Sequence, residues 1–132
     1  MIKFKILHFE DNEMLSNMYQ VAFTKQGFEY KNYEHPPENA EELAGLVLVE
    51  KPSLIIMDIL MPVMDGIQAT KYLKEDNMTK DIPIIGLSNL GDQDIIDELR
   101  SYGIDDYFVN NSLTPTELAK KIREMFIKVD GV

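Results

Sequence analysis

Short apolar runs alternate with segments of helical periodicity along the whole chain. The clearest run, Leu-Ile-Ile-Met at residues 54–57, predicts a strand that is buried on both faces. Similar patterns predict further strands over residues 2–9, 28–33, 83–87 and 107–109. The run at residues 54–57 leads directly into Asp58, so it delivers a carboxylate to the end of a strand, where open α/β sheets bind their ligands.

Helix-start and helix-end signals occupy the segments between these strands. Asn12 is placed to cap a first helix, and Gly27 is placed to end it. The helical spacing in that segment predicts a core face of Leu15, Met18, Tyr19, Ala22 and Phe23. The last helix has the strongest signal, because Thr114, Pro115 and Glu117 combine an N-cap hydroxyl, a proline at the first helical position and an acidic third position.

Five β-α units in succession predict a doubly wound α/β fold, in which a five-stranded parallel sheet carries helices on both faces. We expect a single domain over residues 1–132. The pattern alone leaves the strand order open. In every order, however, the carboxyl ends of parallel strands lie along one edge, so the polar residues that follow the strands share one crevice. These residues are Glu10, Asp11, Asp58, Ser88 and Asn110.

Charge and composition narrow the class of protein. The chain has 132 residues, with 23 acidic against 13 basic side chains and a net charge of −10, so its surface should repel nucleic acids and acidic membranes. The absence of cysteine excludes disulfides and thiolate metal sites. No apolar run reaches the roughly 20 residues that a membrane span requires. We therefore expect a cytoplasmic protein that binds neither nucleic acid directly nor membrane.

The crevice residues favour one kind of chemistry. Glu10, Asp11 and Asp58 would repel one another unless a cation offset their charge, and hard oxygen ligands of this kind favour Mg²⁺. Ser88 adds a hydroxyl at a neighbouring strand end, where it could donate to a phosphoryl oxygen. The set therefore favours phosphoryl transfer to or from a carboxylate.

These motifs resemble those of the receiver domains of two-component response regulators over essentially the whole chain. Glu10-Asp11 is similar to the family's acidic pair, and residues 57–66, Met-Asp-Ile-Leu-Met-Pro-Val-Met-Asp-Gly, are similar to its phosphoacceptor loop. Ile-Ile-Gly-Leu-Ser at residues 84–88 is similar to its Ser/Thr strand, and residues 103–107 resemble the approach to its aromatic switch. The resemblance implies a flavodoxin-like fold with strand order 2-1-3-4-5.

The resemblance also implies roles for the acids. Asp58 would accept a phosphoryl group from a histidine kinase, a phosphotransfer protein or a small phosphodonor. Mg²⁺ would be held by Asp11, Asp58 and the backbone carbonyl of Leu60, with Glu10 acting through water. No enzymatic activity is expected beyond Mg²⁺-dependent self-phosphorylation and autodephosphorylation.

Two further residues would carry the signal by the same resemblance. Ser88 would hydrogen-bond the phosphate, and Tyr107 would turn inward behind it. That motion would change the face built from the fourth helix, the fifth strand and the fifth helix, and this face would bind a downstream protein target. On their own, Ser88 is equally a loop hydroxyl and Tyr107 an ordinary packed aromatic side chain.

One position departs from the family pattern. Family members usually carry a lysine followed by a proline where this chain has Asn110 and Asn111. Asparagine can donate a hydrogen bond but brings no positive charge, so we expect weaker phosphorylation, weaker coupling to Tyr107, or both. An alternative function therefore remains open, that of a pseudo-receiver that binds proteins independently of phosphorylation.

Two other classes of this topology fit less well. A flavin-binding domain would need a hydroxyl- and glycine-rich phosphate loop after the first strand, where Glu10 and Asp11 stand. A phosphohydrolase of the haloacid dehalogenase type should have a second acid two residues after its nucleophile, where this chain has Leu60. The receiver interpretation is therefore preferred to both.

Overall fold

A five-stranded parallel sheet forms the centre of the fold. The computed structural model describes residues 3–59, 66–88, 93–109 and 113–127. The strands are β1 (Lys5–Phe9), β2 (Glu29–Tyr33), β3 (Leu54–Asp58), β4 (Ile84–Ser88) and β5 (Asp106–Val109). The helices are α1 (Glu13–Lys25), α2 (Ala40–Glu50), α3 (Gly66–Glu75), α4 (Gln93–Ser101) and α5 (Pro115–Phe126). The sheet order β2-β1-β3-β4-β5 confirms the predicted fold class and strand order.

The described helices cover both faces of the sheet, as predicted. On the α1 face, α1 and α5 pack Phe23 and Ile122 against the strands. On the α3 face, α2, α3 and α4 pack Val47, Leu73 and Leu99 against them. Each fully buried aliphatic side chain stabilises the fold by about 1.5–3 kcal/mol, so these two cores hold the sheet in place. Within the described residues, no helix is both long and apolar enough to cross a membrane.

The ends of the helices follow the predicted signals. The Asn12 side chain accepts a hydrogen bond of 2.9 Å from the Leu15 N–H group, and Gly27 follows α1 with a φ of +87°. Thr114 and Glu117 form a complete capping box at the start of α5. These local signals need no tertiary contact, which is why they can be recognised in the sequence.

The predicted core face of α1 is wrong at one position. Met18 is 49% exposed, whereas Ser16, Tyr19 and Phe23 are buried. Successive residues are turned by about 100° around a helix, so Met18 lies about a quarter turn from Tyr19, at the edge of the buried stripe. The buried stripe is narrower than the apolar spacing indicated.

The first strand also begins later than predicted. β1 starts at Lys5, whose N–H group donates to the Ser53 hydroxyl at 3.0 Å, and its pairing with β3 starts at Ile6 and Leu54. Pro52 has no N–H group, so the neighbouring strand cannot extend its ladder far in that direction. The predicted start at residue 2 lies outside the described residues.

The start of α3 lies almost in contact with the end of β3. The Gly66 N–H group donates to the Ile59 carbonyl oxygen at 2.9 Å. A Cβ atom added to Gly66 would collide with the Asp58 carbonyl oxygen and would lie 2.7 Å from the Ile59 Cα atom. Both of these neighbours are backbone, so the clash cannot be relieved by turning a side chain. Glycine at position 66 therefore allows α3 to close over the strand end that carries Asp58.

We expect Gly66→Ala to reduce the free energy of unfolding by about 1–3 kcal/mol or more, because backbone must move to admit the methyl group. Gly45→Ala is the matched control, since Gly45 lies within α2 and a Cβ atom there would meet nothing within 4 Å. This control should stabilise the protein by roughly 0.5–1 kcal/mol through helix propensity. Urea unfolding of both variants tests the prediction, and equal effects of the two substitutions would contradict it.

Candidate functional site

Three acidic side chains meet at the carboxyl ends of the adjacent strands β1 and β3. β1 and β3 are adjacent and parallel, and Phe9 pairs with Met57, so the residues that follow them emerge side by side. One carboxylate oxygen from each of Glu10, Asp11 and Asp58 lies within 4.8 Å of the others. The structure therefore brings together the acids that the sequence predicted.

Glu10 is the most deeply buried member of this acid cluster, and it is only 3% exposed. Its carboxylate accepts a hydrogen bond of 3.0 Å from the Asn12 N–H group. Its backbone is tied to β2, because its N–H group donates to the Tyr33 carbonyl at 3.0 Å and its own carbonyl accepts a bond of 3.2 Å from the Asn32 side chain. Glu10 is thus fixed at both its backbone and its side chain.

The environment of Glu10 makes its negative charge unfavourable. Burial raises the pKa of the Glu10 carboxyl to about 7, and the charges of Asp58 and Asp11 act in the same direction against the opposing Asn12 hydrogen bond. Asp58 is half-buried and Asp11 is exposed. A cluster of this kind calls for a positive charge to offset it.

A divalent cation fits this donor set. The available ligand atoms are carboxylate oxygens, which bind hard cations such as Mg²⁺, and Mg²⁺ is commonly held by one or two carboxylates together with water and phosphate oxygens. The partial exposure of Asp58 and Asp11 leaves the cluster open to solvent on one side. The cluster can therefore hold a cation next to a carboxylate that a reactant can approach.

Asp58 itself occupies the last position of β3. Its register partner in β4 is Leu87, and the next residue, Ile59, donates to the Leu87 carbonyl at 3.3 Å. The strand end is therefore held by β4 on one side and by the start of α3 on the other. This support keeps the Asp58 backbone in place while its carboxylate remains accessible.

Three more predicted site residues are Leu60, Ser88 and Asn110. The Leu60 carbonyl and Asn110 lie outside the described residues. Ser88 is the last residue of β4 and pairs with Val109, which puts its backbone at the same edge of the sheet as Asp58. The predicted roles of these residues stay predictions.

Tyr107 lies beside a glycine on the α3 face of the sheet. It is the register partner of Gly86, and its ring packs against the core on that face. A Cβ atom added to Gly86 would lie 2.8 Å from Cδ2 of Tyr107 and 3.0 Å from Cδ1 of Ile104. The missing side chain at Gly86 thus makes room for the Tyr107 ring two residues before Ser88.

A group of polar residues that the sequence patterns do not reveal lies on the α1 face of the sheet, near Glu10. His8 is completely buried on β1, and its Nδ1 atom lies 2.6 Å from the Tyr30 hydroxyl on β2. The Tyr19 ring stands edge-on to the imidazole at 5.2 Å. One signal could have found this group, since Glu10 follows His8 by two positions, and residues two positions apart in an extended segment face the same side.

Burial controls the protonation of this group. It lowers the pKa of His8 to about 3, so the imidazole is neutral at neutral pH. It also raises the pKa of Tyr19 to about 12, with smaller contributions from the charges of Glu10 and Asp58. The Tyr30 pKa is raised for the same main reason. These residues therefore supply hydrogen bonds to the region under the site but no charge.

Comparison with known proteins agrees with this geometry. The response regulator receiver domain family matches residues 6–123. The phosphate regulon transcriptional regulatory protein PhoB of Pseudomonas aeruginosa is 31% identical over 118 residues, which are 89% of this chain and 49% of that protein. PhoB of Escherichia coli K12 is 32% identical over 130 residues, covering 95% and 52%. The chain thus spans about half the length of these curated relatives.

A solved structure supports the fold independently. The chemotaxis protein CheY4 of Vibrio cholerae superimposes with a TM-score of 0.79 at 21% identity, and the match covers 93% of this chain and 98% of that one. At this level of identity the likeness establishes the fold alone. Since the family match extends over most of the chain and the fold agrees with it, the chain belongs to the response regulator receiver domain family, whose members act in phosphorelay signalling and are generally non-enzymatic.

Proposed function

We propose that this chain is a receiver that accepts a phosphoryl group on Asp58 in an Mg²⁺-dependent reaction and thereby switches a protein-interaction surface. The observation that carries the proposal is the convergence of Glu10, Asp11 and Asp58 within 4.8 Å at the edge of the sheet. The receiver domain itself would extend over residues 1–132. The phosphoryl donor would be a histidine kinase, a phosphotransfer protein or a small molecule such as acetyl phosphate.

The proposed reaction is a single displacement at phosphorus. A carboxylate oxygen of Asp58 forms a new P–O bond while the bond between phosphorus and the leaving atom breaks. The leaving atom is an imidazole nitrogen of a phosphohistidine or the acyl oxygen of acetyl phosphate, and it keeps the electron pair. The product is an aspartyl phosphate, so neither an oxidant nor a reductant is needed.

The acids around Asp58 would prepare the site for this reaction. Asp11, Asp58 and the Leu60 carbonyl would bind Mg²⁺ directly, and Glu10 would do so through water. Bound Mg²⁺ would offset the negative charge that the Asp58 carboxylate and the phosphodonor bring together. The hydrogen bonds to Asn12, Tyr33 and Asn32 would keep Glu10 in place throughout.

The exposed face of α1 supports a protein as phosphodonor. Met14, Met18 and Val21 are 75%, 49% and 57% exposed, and α1 begins just after Asp11. A groove between α1 and the start of α5 continues this apolar surface, with Ala22 and Pro115 in its lining. A donor that covers this surface would bring its phosphohistidine close to Asp58.

The output of the switch would lie on the other side of the site. Ser88 would hydrogen-bond the phosphate, and Tyr107 would move toward it from β5. A change in Tyr107 would alter the face formed by α4, β5 and α5, and that face would bind the downstream protein. The switch would be a shift in population between two arrangements of Tyr107, driven by the contact between Ser88 and the phosphate.

A second candidate function is a pseudo-receiver that binds its partner without phosphorylation. Asn110 favours it, because the usual lysine in that position would supply a positive charge for the phosphate. The two candidates differ in whether Asp58 becomes phosphorylated.

Treatment with acetyl phosphate and Mg²⁺ should add one phosphoryl group to the chain, at Asp58. We expect intact-mass spectrometry to detect an acid-stable, hydroxylamine-labile adduct that is lost in Asp58→Asn and retained in the exposed control Asp97→Asn. Asn110→Lys should raise the fraction phosphorylated, since it restores the lysine that family members usually carry at this position. Absence of any adduct on wild-type protein would reject the phosphoryl-accepting function in favour of the pseudo-receiver.

The pH dependence of Mg²⁺ binding should follow the Glu10 carboxyl. Because its pKa is raised to about 7, binding of the cation must displace a proton below that pH. We expect the Mg²⁺ affinity, measured by calorimetry, to increase by up to about tenfold per pH unit below about pH 7 and to level off above it. Glu10→Gln should weaken binding and flatten this profile.

The Glu10 carboxyl should also make the stability of the metal-free protein depend on pH. With a chelator present, this stability should fall as pH rises, whereas the Mg²⁺ affinity rises. A raised pKa in the folded state stabilises the fold fully below the ordinary glutamate pKa, and this contribution is lost as pH rises through about 7. Glu10→Gln should therefore gain stability relative to wild type between about pH 5 and about pH 8. An equal difference at both pH values would contradict the assigned pKa.

Gly86→Ala should displace the Tyr107 ring without any phosphodonor. The added methyl group would lie 2.8 Å from Tyr107 Cδ2, so the ring must rotate away unless Ile104 and Ile59 absorb the change. We expect altered Tyr107 ring resonances by NMR and a stability loss of about 1–3 kcal/mol from overpacking. Gly45→Ala again serves as the control, and unchanged Tyr107 resonances would show that the ring position does not depend on Gly86.

A further inference from the structure

Two buried polar atoms on neighbouring strands lack a hydrogen-bond partner within the described part of the chain. They are Nε2 of His8 on β1 and Oδ1 of Asn32 on β2. His8 and Asn32 are register partners in the β1–β2 ladder, so their backbones are separated only by the strand spacing of about 4.8 Å. Asn32 is two residues after Tyr30, which contacts His8, so both side chains lie on the α1 face.

The other polar atoms of these two side chains are already bonded. His8 Nδ1 lies 2.6 Å from the Tyr30 hydroxyl, and Asn32 Nδ2 donates to the Glu10 carbonyl at 3.2 Å. A carbonyl oxygen only accepts, so the amide nitrogen of Asn32 must face Glu10. Its Oδ1 atom is therefore an acceptor that points away from Glu10 and still needs a donor.

Only one neutral form of His8 can provide that donor. If the Tyr30 hydroxyl donates to Nδ1, the proton of the imidazole is on Nε2, and Nε2–H matches the acceptor on Asn32. If Nδ1 carries the proton instead, Nε2 and Oδ1 are both acceptors, so no hydrogen bond can form between them and both atoms stay unpaired. Because unpaired buried polar atoms are unfavourable, the first arrangement is preferred.

We propose that Tyr30, His8 and Asn32 form one hydrogen-bond chain that ends on the Glu10 carbonyl and positions the acid cluster. In this chain, Tyr30 donates to His8 Nδ1, and His8 Nε2–H donates to Asn32 Oδ1 directly after a small rotation of the amide or through one internal water. Asn32 Nδ2–H then donates to Glu10. The positioning of a cation site rests on the proposed function, whereas the hydrogen-bond chain does not.

The last acceptor of this hydrogen-bond chain explains its proposed effect on the acid cluster. The Glu10 carbonyl belongs to the peptide unit that joins Glu10 to Asp11, so Asn32 holds the link between two acids of the cluster. The preceding peptide is held separately by the bond from the Glu10 N–H group to Tyr33. In the proposed chain, His8 fixes the rotation of the Asn32 amide. His8 is therefore a positioning residue that acts on the acids through Asn32.

Measurement of the His8 tautomer tests the proposed hydrogen-bond chain without any metal. Nitrogen-15 NMR should show His8 with a protonated Nε2 and an unprotonated Nδ1, and Tyr30→Phe should perturb Nδ1 more than Nε2. His35, which is exposed, provides the internal reference for a ring in exchange with solvent. A protonated Nδ1 with an unprotonated Nε2 would overturn the proposal.

Mg²⁺ affinity then tests the positioning role. We expect His8→Phe and Asn32→Ala each to weaken Mg²⁺ binding by about tenfold, the range in which residues behind metal ligands act. Because His8 would act only through Asn32 in this hydrogen-bond chain, the double variant should bind Mg²⁺ about as weakly as Asn32→Ala alone. His8→Gln, whose amide offers an N–H group near the position of Nε2, should restore the affinity to within about twofold.

A core control separates positioning from general loss of stability. Ile6→Val removes one methyl group from a fully buried residue on the same strand and face as His8, and it should lower stability with Mg²⁺ affinity unchanged. Equal Mg²⁺ affinities of His8→Phe and Ile6→Val would overturn the positioning role. If wild-type protein binds no Mg²⁺, the proposed function and the positioning role both fail. The NMR result would still decide whether the hydrogen-bond chain from Tyr30 to Glu10 exists.

Discussion

The mutual repulsion of three carboxylates is the constraint on which the rest of this site depends. Two unit charges at 4 Å interact by about 1 kcal/mol in water and about 4 kcal/mol near a protein surface, so Glu10, Asp11 and Asp58 would separate if their backbones were free. The parallel sheet prevents this, because β1 and β3 are adjacent and hydrogen-bonded up to the point where the acids begin. Burial raises the pKa of Glu10, the nearby charges of Asp58 and Asp11 add to this effect, and a bound cation would relieve the repulsion.

The residues that maintain this arrangement act mainly through the backbone. Asn32 and Tyr33 bond the two peptide groups of Glu10, and Gly66 lets α3 close over the end of β3. None of these three contributes a charge to the cluster. The structure thus separates the groups that supply charge from those that fix geometry, so Gly66 can be changed without altering the local charge and Glu10 can be neutralised without removing its backbone bonds.

The strand ends could be predicted from the sequence, because apolar runs identify parallel strands and the carboxyl ends of parallel strands share an edge. That reasoning placed Glu10, Asp11 and Asp58 together before the strand order was known. The link between His8 and Asn32 could not be found in the same way, since it depends on the register of β1 and β2, which local patterns do not encode. The error at Met18 has a similar cause, because apolar spacing marks a helical stripe but not its edges.

The charge balance of the phosphorylated state depends on which positively charged groups lie near Asp58. Asn110 brings none, and the imidazole under the site is neutral because burial lowers the His8 pKa to about 3. Two lysines of the described structure are engaged elsewhere, as Lys5 pairs with Glu50 at 2.7 Å and Lys74 pairs with Asp105 at 2.8 Å. A phosphoryl group on Asp58 would therefore rely on the bound cation for charge compensation more heavily than in receivers that carry the lysine. It follows that, in this chain, binding of Mg²⁺ and retention of the phosphoryl group should be strongly coupled, since each would lower the electrostatic cost of the other.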